Sequence, residues 1–209
     1  MTPEGALERG ASELAIPLAA EAREKLLQYA ALLTKWNKTY NLTAIHGTSE
    51  IVIQHVLDSL SVLPHLPAGD LLADVGSGSG APGLPIAIAQ PQWHVTLNES
   101  NGKKAAFLRQ AAIELALPNV AVHEGRAEAW RPARRFDVVI SRAFAELAVF
   151  IRVCRHLVSP QGWLAAMKGA FPNAELAGVP GDCDCSKVVA IRVPLLDAAR
   201  HLVLCRARS

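Results

Sequence analysis

The sequence predicts an α/β fold, a mostly parallel sheet with helices on both faces and a helical extension at its N-terminus. From Leu71 onward, short apolar runs alternate with helical patterns. Repeated β-α-β order needs crossover connections, which make the strands parallel and bury both sheet faces. The first of these strands runs into a glycine-dense turn, Gly76-Ser77-Gly78-Ser79-Gly80, just ahead of a helical stretch. Before Leu71 only helical periodicity is found, and it stops at Pro64 and Pro67. The expected organisation is residues 1–67 as an extension packed on the core and residues 68–209 as the main domain.

Each element has its own signal. Leu26, Ala30, Leu33 and Trp36 recur on one face of a helix over about Ala19–Lys38. A second helix, about Ser49–Leu63 with Thr48 as its cap, has Val52, Val56, Leu60 and Leu63 as its apolar face. Strands are expected at Leu71–Val75, Trp93–Leu97, Val120–His123, Phe136–Ser141 and Trp163–Met167. Helices at about Pro82–Ala89, Gly102–Leu117 and Phe144–Val158 connect them. Lys187–Val193 and Leu202–Arg206 read as two further strands, an antiparallel pair at the sheet edge.

Composition excludes several classes. With 51% hydrophobic and 19% charged residues, the chain of 209 residues has the make-up of a globular core and not of disorder. No apolar run approaches the roughly 20 residues that span a bilayer. Glu4, Glu8 and Glu13 near the start, with no basic region before an apolar stretch, argue against a secretory leader, so a cytoplasmic protein is expected. Cys183-x-Cys185 lacks the spacing of a zinc site, and no other ligand pair is evident, so no metal is expected. Cys154, Cys183, Cys185 and Cys205 are expected to be reduced thiols. Residues 1–70 hold 5 Lys/Arg against 8 Asp/Glu, and residues 71–209 hold 16 against 11. The basic excess thus falls on the segment with the glycine turn, as a polyanion-binding face requires.

The glycine turn carries the chemistry. Asp74-Val75 ends the first strand, and the turn lets the backbone approach a ligand without a Cβ in the way. Pro82 or Pro85 suits the first turn of the next helix. Glu99 ends the second strand, where a carboxylate accepts hydrogen bonds from both ribose hydroxyls of an adenosine. Gly78-x-Gly80-x-x-Gly83 also fits a dinucleotide fingerprint, so the turn alone leaves S-adenosylmethionine and NAD both open. Asp74, two positions before the first glycine, opposes a pyrophosphate and suits an ammonium. The glycine turn also begins about 70 residues into the chain, and no second catalytic domain for a hydride acceptor is expected.

Several strings resemble one family, the bacterial 16S rRNA guanine-N7 methyltransferases known as RsmG or GidB. They are Lys35-Trp36-Asn37-Lys38-Thr39-Tyr40-Asn41-Leu42-Thr43, His55-Val56-Leu57-Asp58-Ser59-Leu60, Asp74-Val75-Gly76-Ser77-Gly78 and Pro82-Gly83-Leu84-Pro85. Ser100-Asn101-Gly102-Lys103-Lys104, Phe107-Leu108-Arg109-Gln110, Ser141-Arg142-Ala143-Phe144-Ala145, Met167-Lys168-Gly169 and Arg200-His201-Leu202-Val203 continue the likeness. It covers the chain from about residue 20 onward.

The resemblance implies a class I, Rossmann-like methyltransferase fold, with seven strands of which the last two are antiparallel. It further implies S-adenosylmethionine as donor and the guanine at position 527 of 16S rRNA, naked or in a 30S particle, as acceptor. Cofactor contacts carry over to Gly76, Ala81, Ala127, Glu128 and Arg142, beside the Asp74, Ser77, Gly78, Gly80 and Glu99 of the turn and second strand. Glu99 in place of the family's usual Asp, Asn98 in place of an apolar residue and Ala81 in place of a bulkier one are departures near the cofactor. The expected partner is 16S rRNA or a 30S ribosomal particle, with a monomeric enzyme and no membrane.

Guanine N7 has a lone pair and no proton, so transfer to it needs no general base; positioning is the main requirement. Arg126, Arg142 and Lys168 follow or end the third, fourth and fifth strands, at the ligand-binding edge. Arg142 and Lys168 are expected to position substrate, and Lys103, Arg126 and Lys168 to contact RNA, with Lys104 beside Lys103. His55, Asp58 and Ser59 share a helical face and read as a hydrogen-bonded face near the pocket. Trp36, Trp93, Trp130 and Trp163 read as core, and Phe144 as a candidate to stack on the guanine.

Overall fold

A computed structural model describes residues 1–207. The N-terminal part comprises α1 (Pro3–Glu13), α2 (Ala20–Tyr40), α3 (Thr48–Ile51), a π-helical segment (Val52–Leu57) and α4 (Asp58–Leu60). β1 (Leu71–Val75), α5 (Gly83–Ala89), β2 (His94–Glu99), α6 (Gly102–Glu114), β3 (Val120–Glu124), β4 (Phe136–Arg142) and α7 (Leu147–Cys154) follow. The chain closes with β5 (Val158–Lys168), α8 (Asn173–Ala177), β6 (Cys183–Ile191) and β7 (Arg200–Ala207).

The seven strands form one sheet in the order β3-β2-β1-β4-β5-β7-β6. β1 through β5 are parallel, and β7 runs antiparallel to both β5 and β6. This is the class I methyltransferase arrangement that the sequence predicts, including the antiparallel last pair. Alternate residues of each strand feed two cores. Leu72, Leu97, Ile140 and Leu204 face Leu7, Leu26, Leu33 and Val56 of the N-terminal helices and Phe107 of α6. Ala73, Val75, Val139 and Val203 face Leu147, Phe150 and Ile151 of α7. Both sheet faces are therefore covered, as parallel strands require. Strand order reverses at β1, which has β2 on one side and β4 on the other, the place beyond the strand ends where open parallel sheets bind ligands.

Local differences from the sequence reading have physical causes. α1 is not anticipated in the Gly/Ala-rich start. Thr2 Oγ1 caps it by accepting from Gly5 N at 3.1 Å, and Gly10 lets it sit directly on Leu57, where a Cβ would meet Leu57 Cδ1 at 2.3 Å. Thr48 is not a cap: Gly47 precedes the helix, and Thr48 Oγ1 lies 3.2 Å from Thr34 Oγ1. α6 stops at Glu114 and not at Leu117, because Ala116 turns left-handed. α7 is shorter than Phe144–Val158, its expected last residue being taken into a long β5. Of the tryptophans, Trp130 is buried, and Trp36, Trp93 and Trp163 pack half-buried against the core.

The expectation of reduced thiols fails for two cysteines. Cys185 on β6 and Cys205 on β7 form a disulfide. A register irregularity between Asp184 and Lys187 sets Cys185 beside Cys205 across the antiparallel pair, a juxtaposition invisible without the strand register. Cys154 remains a thiol, pushed up to about 12 by burial and by nearby Glu128.

Candidate active site

The glycine turn sits at the strand-order reversal. Gly76 N and Ser77 N both donate to the Asn98 carbonyl of β2, and Ser77 Oγ donates to Asp74 O. The turn is thus pinned to the ends of β1 and β2. Gly76, Gly78 and Gly80 all have positive φ, a region that side chains rarely enter. Their surroundings differ. A Cβ on Gly76 would strike the Phe144 ring at 2.8 Å, and one on Gly80 would strike Leu84 at 2.4 Å. At Gly78 the nearest atom would be Gly76 O at 3.7 Å, which leaves that side open. Only Gly78, of these three, faces free space where a ligand can approach the backbone. Ala81 is buried behind the turn.

Asp74 is fully buried below the turn. Its Oδ2 accepts from Gly83 N at 2.9 Å, at the start of α5, and its Oδ1 has no hydrogen-bond partner. Burial pushes the carboxyl up to about 7, against the pull of the Gly83 N–H and Arg142. A buried carboxylate oxygen without a donor is costly, and it suits a cationic group supplied from outside. Tyr29, buried on α2, donates to Ser79 O at 3.0 Å and ties the N-terminal helices to the turn.

Glu99 closes the other side. Its Oε2 accepts from Gly78 N at 2.9 Å and its Oε1 from Asn101 N at 2.8 Å. Asn98, unexpectedly polar for its place, is buried and donates from Nδ2 to Gly125 O at 2.9 Å. This bond holds the turn after β3 against β2, and buried Ala127 and exposed Glu128 follow in a single 3-10 turn. Asp74, Gly76, Ser77, Gly78, Gly80, Glu99, Ala127 and Glu128 therefore gather around one strand edge. An unpartnered Asp74 oxygen, an open Gly78 and a carboxylate at the end of β2 fit an adenosine joined to an amino acid.

Beside this lies a cavity of about 390 Å³ lined by Gln54, His55, Asp58, Arg142, Lys168 and Arg200, among others. Arg142 ends β4, and its guanidinium is fully engaged on one side. Nη1 donates to Gln54 O at 2.9 Å and Asp58 Oδ2 at 3.1 Å, and Nη2 meets His55 Nδ1. The π-helical segment makes the first of these bonds possible. Asp58 N–H donates to His55 O and Ile53 O and bypasses Gln54 O, which is left to accept from Arg142. Asp58, buried, also accepts from Arg200 Nε at 2.9 Å on Oδ1. His55 is pushed down to about 3, by burial first and Arg142 second, and its Nε2 meets Thr43 Oγ1 at 2.9 Å. The expected His55–Asp58–Ser59 face is present: His55 and Asp58 engage the arginines, and Ser59 Oγ donates to His55 O.

Lys168 ends β5 as expected, yet its ammonium already has partners. It donates to Ala145 O at 2.8 Å and to Glu175 Oε2 at 2.7 Å. Glu175 of α8 also accepts from Leu147 N, so Lys168 draws the β4–α7 turn and α8 together. Lys103 and Arg126 are exposed at the same edge of the sheet but do not line the cavity. Phe144 lies against Gly76 and is partly exposed. Sequence reasoning gave no functional role to Arg200, Gln54 or Tyr29. Arg200 carried a signal only as part of the Arg200-His201-Leu202-Val203 string of the family resemblance. Gln54 carried none, because its backbone carbonyl is what acts.

The family described as rRNA small subunit methyltransferase G matches residues 22–203. A protein of Chromobacterium violaceum named ribosomal RNA small subunit methyltransferase G is 50% identical over 197 residues, covering 94% of this chain and 94% of the relative. One of the same name from Methylobacillus flagellatus is 50% identical over 203 residues, covering 97% and 98%. Among solved structures, a SAM-dependent methyltransferase from Aquifex aeolicus is similar in fold, with a TM-score of 0.57 at 15% identity over 72% of this chain and 90% of that one.

Proposed function

Since the chain belongs to the rRNA small subunit methyltransferase G family, we propose that it methylates N7 of a guanine in 16S rRNA, the guanine at position 527. S-adenosylmethionine is the methyl donor. Bound there, it supplies an electrophilic methyl on a sulfonium that leaves as a neutral thioether.

The observation that carries the N7 reading is the character of the cavity next to the glycine turn. Among the described residues it presents fixed cations and no free base. Arg142 is held by three acceptors, and Asp58 is occupied by two arginines. His55 stays neutral through the physiological range. An acceptor that must lose a proton would need a group here free to take it. N7 needs none, and its demand is alignment with the methyl carbon.

Under this reading Asp74 Oδ1 holds the donor's ammonium, Gly78 lets its amino-acid portion lie on the backbone, and Glu99 accepts from the ribose. Ala81, Ala127 and Glu128 would flank the adenosine. Arg142, immobilised by its partners, orients the guanine at an angle set by the end of β4. Lys168, Arg126 and Lys103 draw phosphates to the same edge, Lys168 by exchanging Glu175 for phosphate. Asp58 and His55 act through Arg142 and are positioning residues.

Transfer of a radioactive methyl group from S-adenosylmethionine to 16S rRNA, or to 30S particles from cells lacking the gene, tests this reading. Enzymatic digestion of the product should yield 7-methylguanosine. Label in any other nucleoside would exclude the N7 assignment.

A further inference from the structure

Of the five phenylalanines, Phe107, Phe136 and Phe150 are buried and Phe144 lies on the glycine turn. Phe171 is 48% exposed, in the connection between β5 and α8, where it lines a hollow with Leu176, Val179 and Pro180. Its ring is nonetheless oriented. It meets the His201 ring at 5.4 Å between centroids, with planes 84° apart. His201 is fixed in turn, Nδ1 lying 2.8 Å from Gly169 O.

The location matters as much as the exposure. Gly169, two residues before Phe171, and Arg200, one before His201, both line the cation-rich cavity. His201 pairs with Lys168 across β5 and β7. Neither ring lines the cavity itself: Phe171 lines a neighbouring hollow with Leu176 and Val179, and His201 reaches the cavity's lining through Gly169 O and its pairing with Lys168. An oriented, half-exposed aromatic ring next to fixed cations is the combination that recognises unpaired nucleotides: the base stacks and the phosphate pairs. A double helix offers no free base face to such a ring.

Building on the rRNA reading above, we propose that Phe171, braced by His201, is a stacking subsite for an unpaired base adjacent in the RNA to the methylated guanine. Phe171 holds the RNA strand beside the cavity, on the Gly169 side, while Arg142 orients the reacting base inside.

The test is steady-state methyl transfer to 16S rRNA and to 30S particles, using the intact enzyme with Phe171→Ala, Phe171→Leu and Phe171→Trp. Stacking predicts that Ala and Leu each raise KM for the accepted RNA by about 5–150-fold. Trp should stay within about 3-fold, since any aromatic face stacks. kcat at saturating RNA, affinity for S-adenosylhomocysteine and the salt slope of RNA binding should be unchanged, because no phosphate contact is lost. The Leu variant keeps the apolar volume and separates stacking from packing. A Leu variant with wild-type KM would overturn the subsite, and so would an unchanged Ala variant. Should the Ala variant fail to fold, the Leu and Trp pair still decides. Normal wild-type transfer with indifferent variants discards the subsite alone; a wild type that methylates neither RNA discards the rRNA reading and the subsite with it.

Discussion

Asp74 and Glu99 show how two carboxylates at neighbouring strand ends take different parts. Asp74 is buried with one oxygen lacking a donor, and its carboxyl is pushed up to about 7. A carboxyl raised above its ordinary value favours folding below about pH 4, and that contribution is lost as pH climbs through 7. Asp74→Asn, which cannot ionise, should therefore melt higher than wild type at pH 8 and differ less at pH 5, in thermal melts without cofactor. A constant offset across that range would show that Asp74 is already ionised. His55 has the opposite sign. Pushed down to about 3, it stays neutral when folded but takes a proton when unfolded below about 6.5. Acid should thus destabilise the wild type between those limits by at most about 1.4 kcal/mol per pH unit from this residue, and His55→Gln should remove that part of the slope in denaturant titrations. Glu99 holds Gly78 and Asn101 through both oxygens. Glu99→Ala should weaken S-adenosylhomocysteine binding about 10–100-fold by calorimetry, the cost of charge-assisted hydrogen bonds. Unchanged affinity would remove Glu99 from the site.

Elements decide where these residues point. The π-helical segment diverts one amide bond and frees Gln54 O for Arg142, so a change of helical pitch becomes a constraint on a side chain on another element. α8 acts similarly through Glu175, which gathers Lys168 and the start of α7. The sheet edge is held by its hydrogen bonds and by the Cys185–Cys205 disulfide. Closing a loop of sequence separation 20 restrains the unfolded chain by about 3 kcal/mol in the loop-entropy account. Replacing both cysteines by serine should lower stability by up to that amount in guanidinium unfolding under non-reducing conditions. Equal stability of oxidised wild type and the double variant would mean that the bridge contributes nothing. The strand that carries Cys205 also carries Arg200, so the bridge steadies an element of the site.

At the scale of the molecule, what was legible in the sequence is what periodicity and turn chemistry encode. Alternating apolar runs suffice for the five parallel strands and the edge pair, and Gly76 to Gly80 suffices for the turn at the order reversal. Contacts between distant segments were not legible. α1 owes its place to Gly10 against Leu57, and the disulfide to a register irregularity. The arginine clamp needs Asp58 and Arg200, 142 residues apart, to meet. The glycines illustrate the same limit: their need for positive φ is readable, but that only Gly78 of the three stays open depends on Phe144 and Leu84. Under the proposed function, the methyl donor lies at the end of β1 beside a cavity of fixed cations that, among the described residues, has no base to spare. The most direct measurement of that claim is borohydride and aniline cleavage of small-subunit rRNA, which cuts at 7-methylguanosine, from cells with and without this gene. The account predicts a cut at position 527 that disappears when the gene is deleted; a cut that persists in the deletion strain would contradict it.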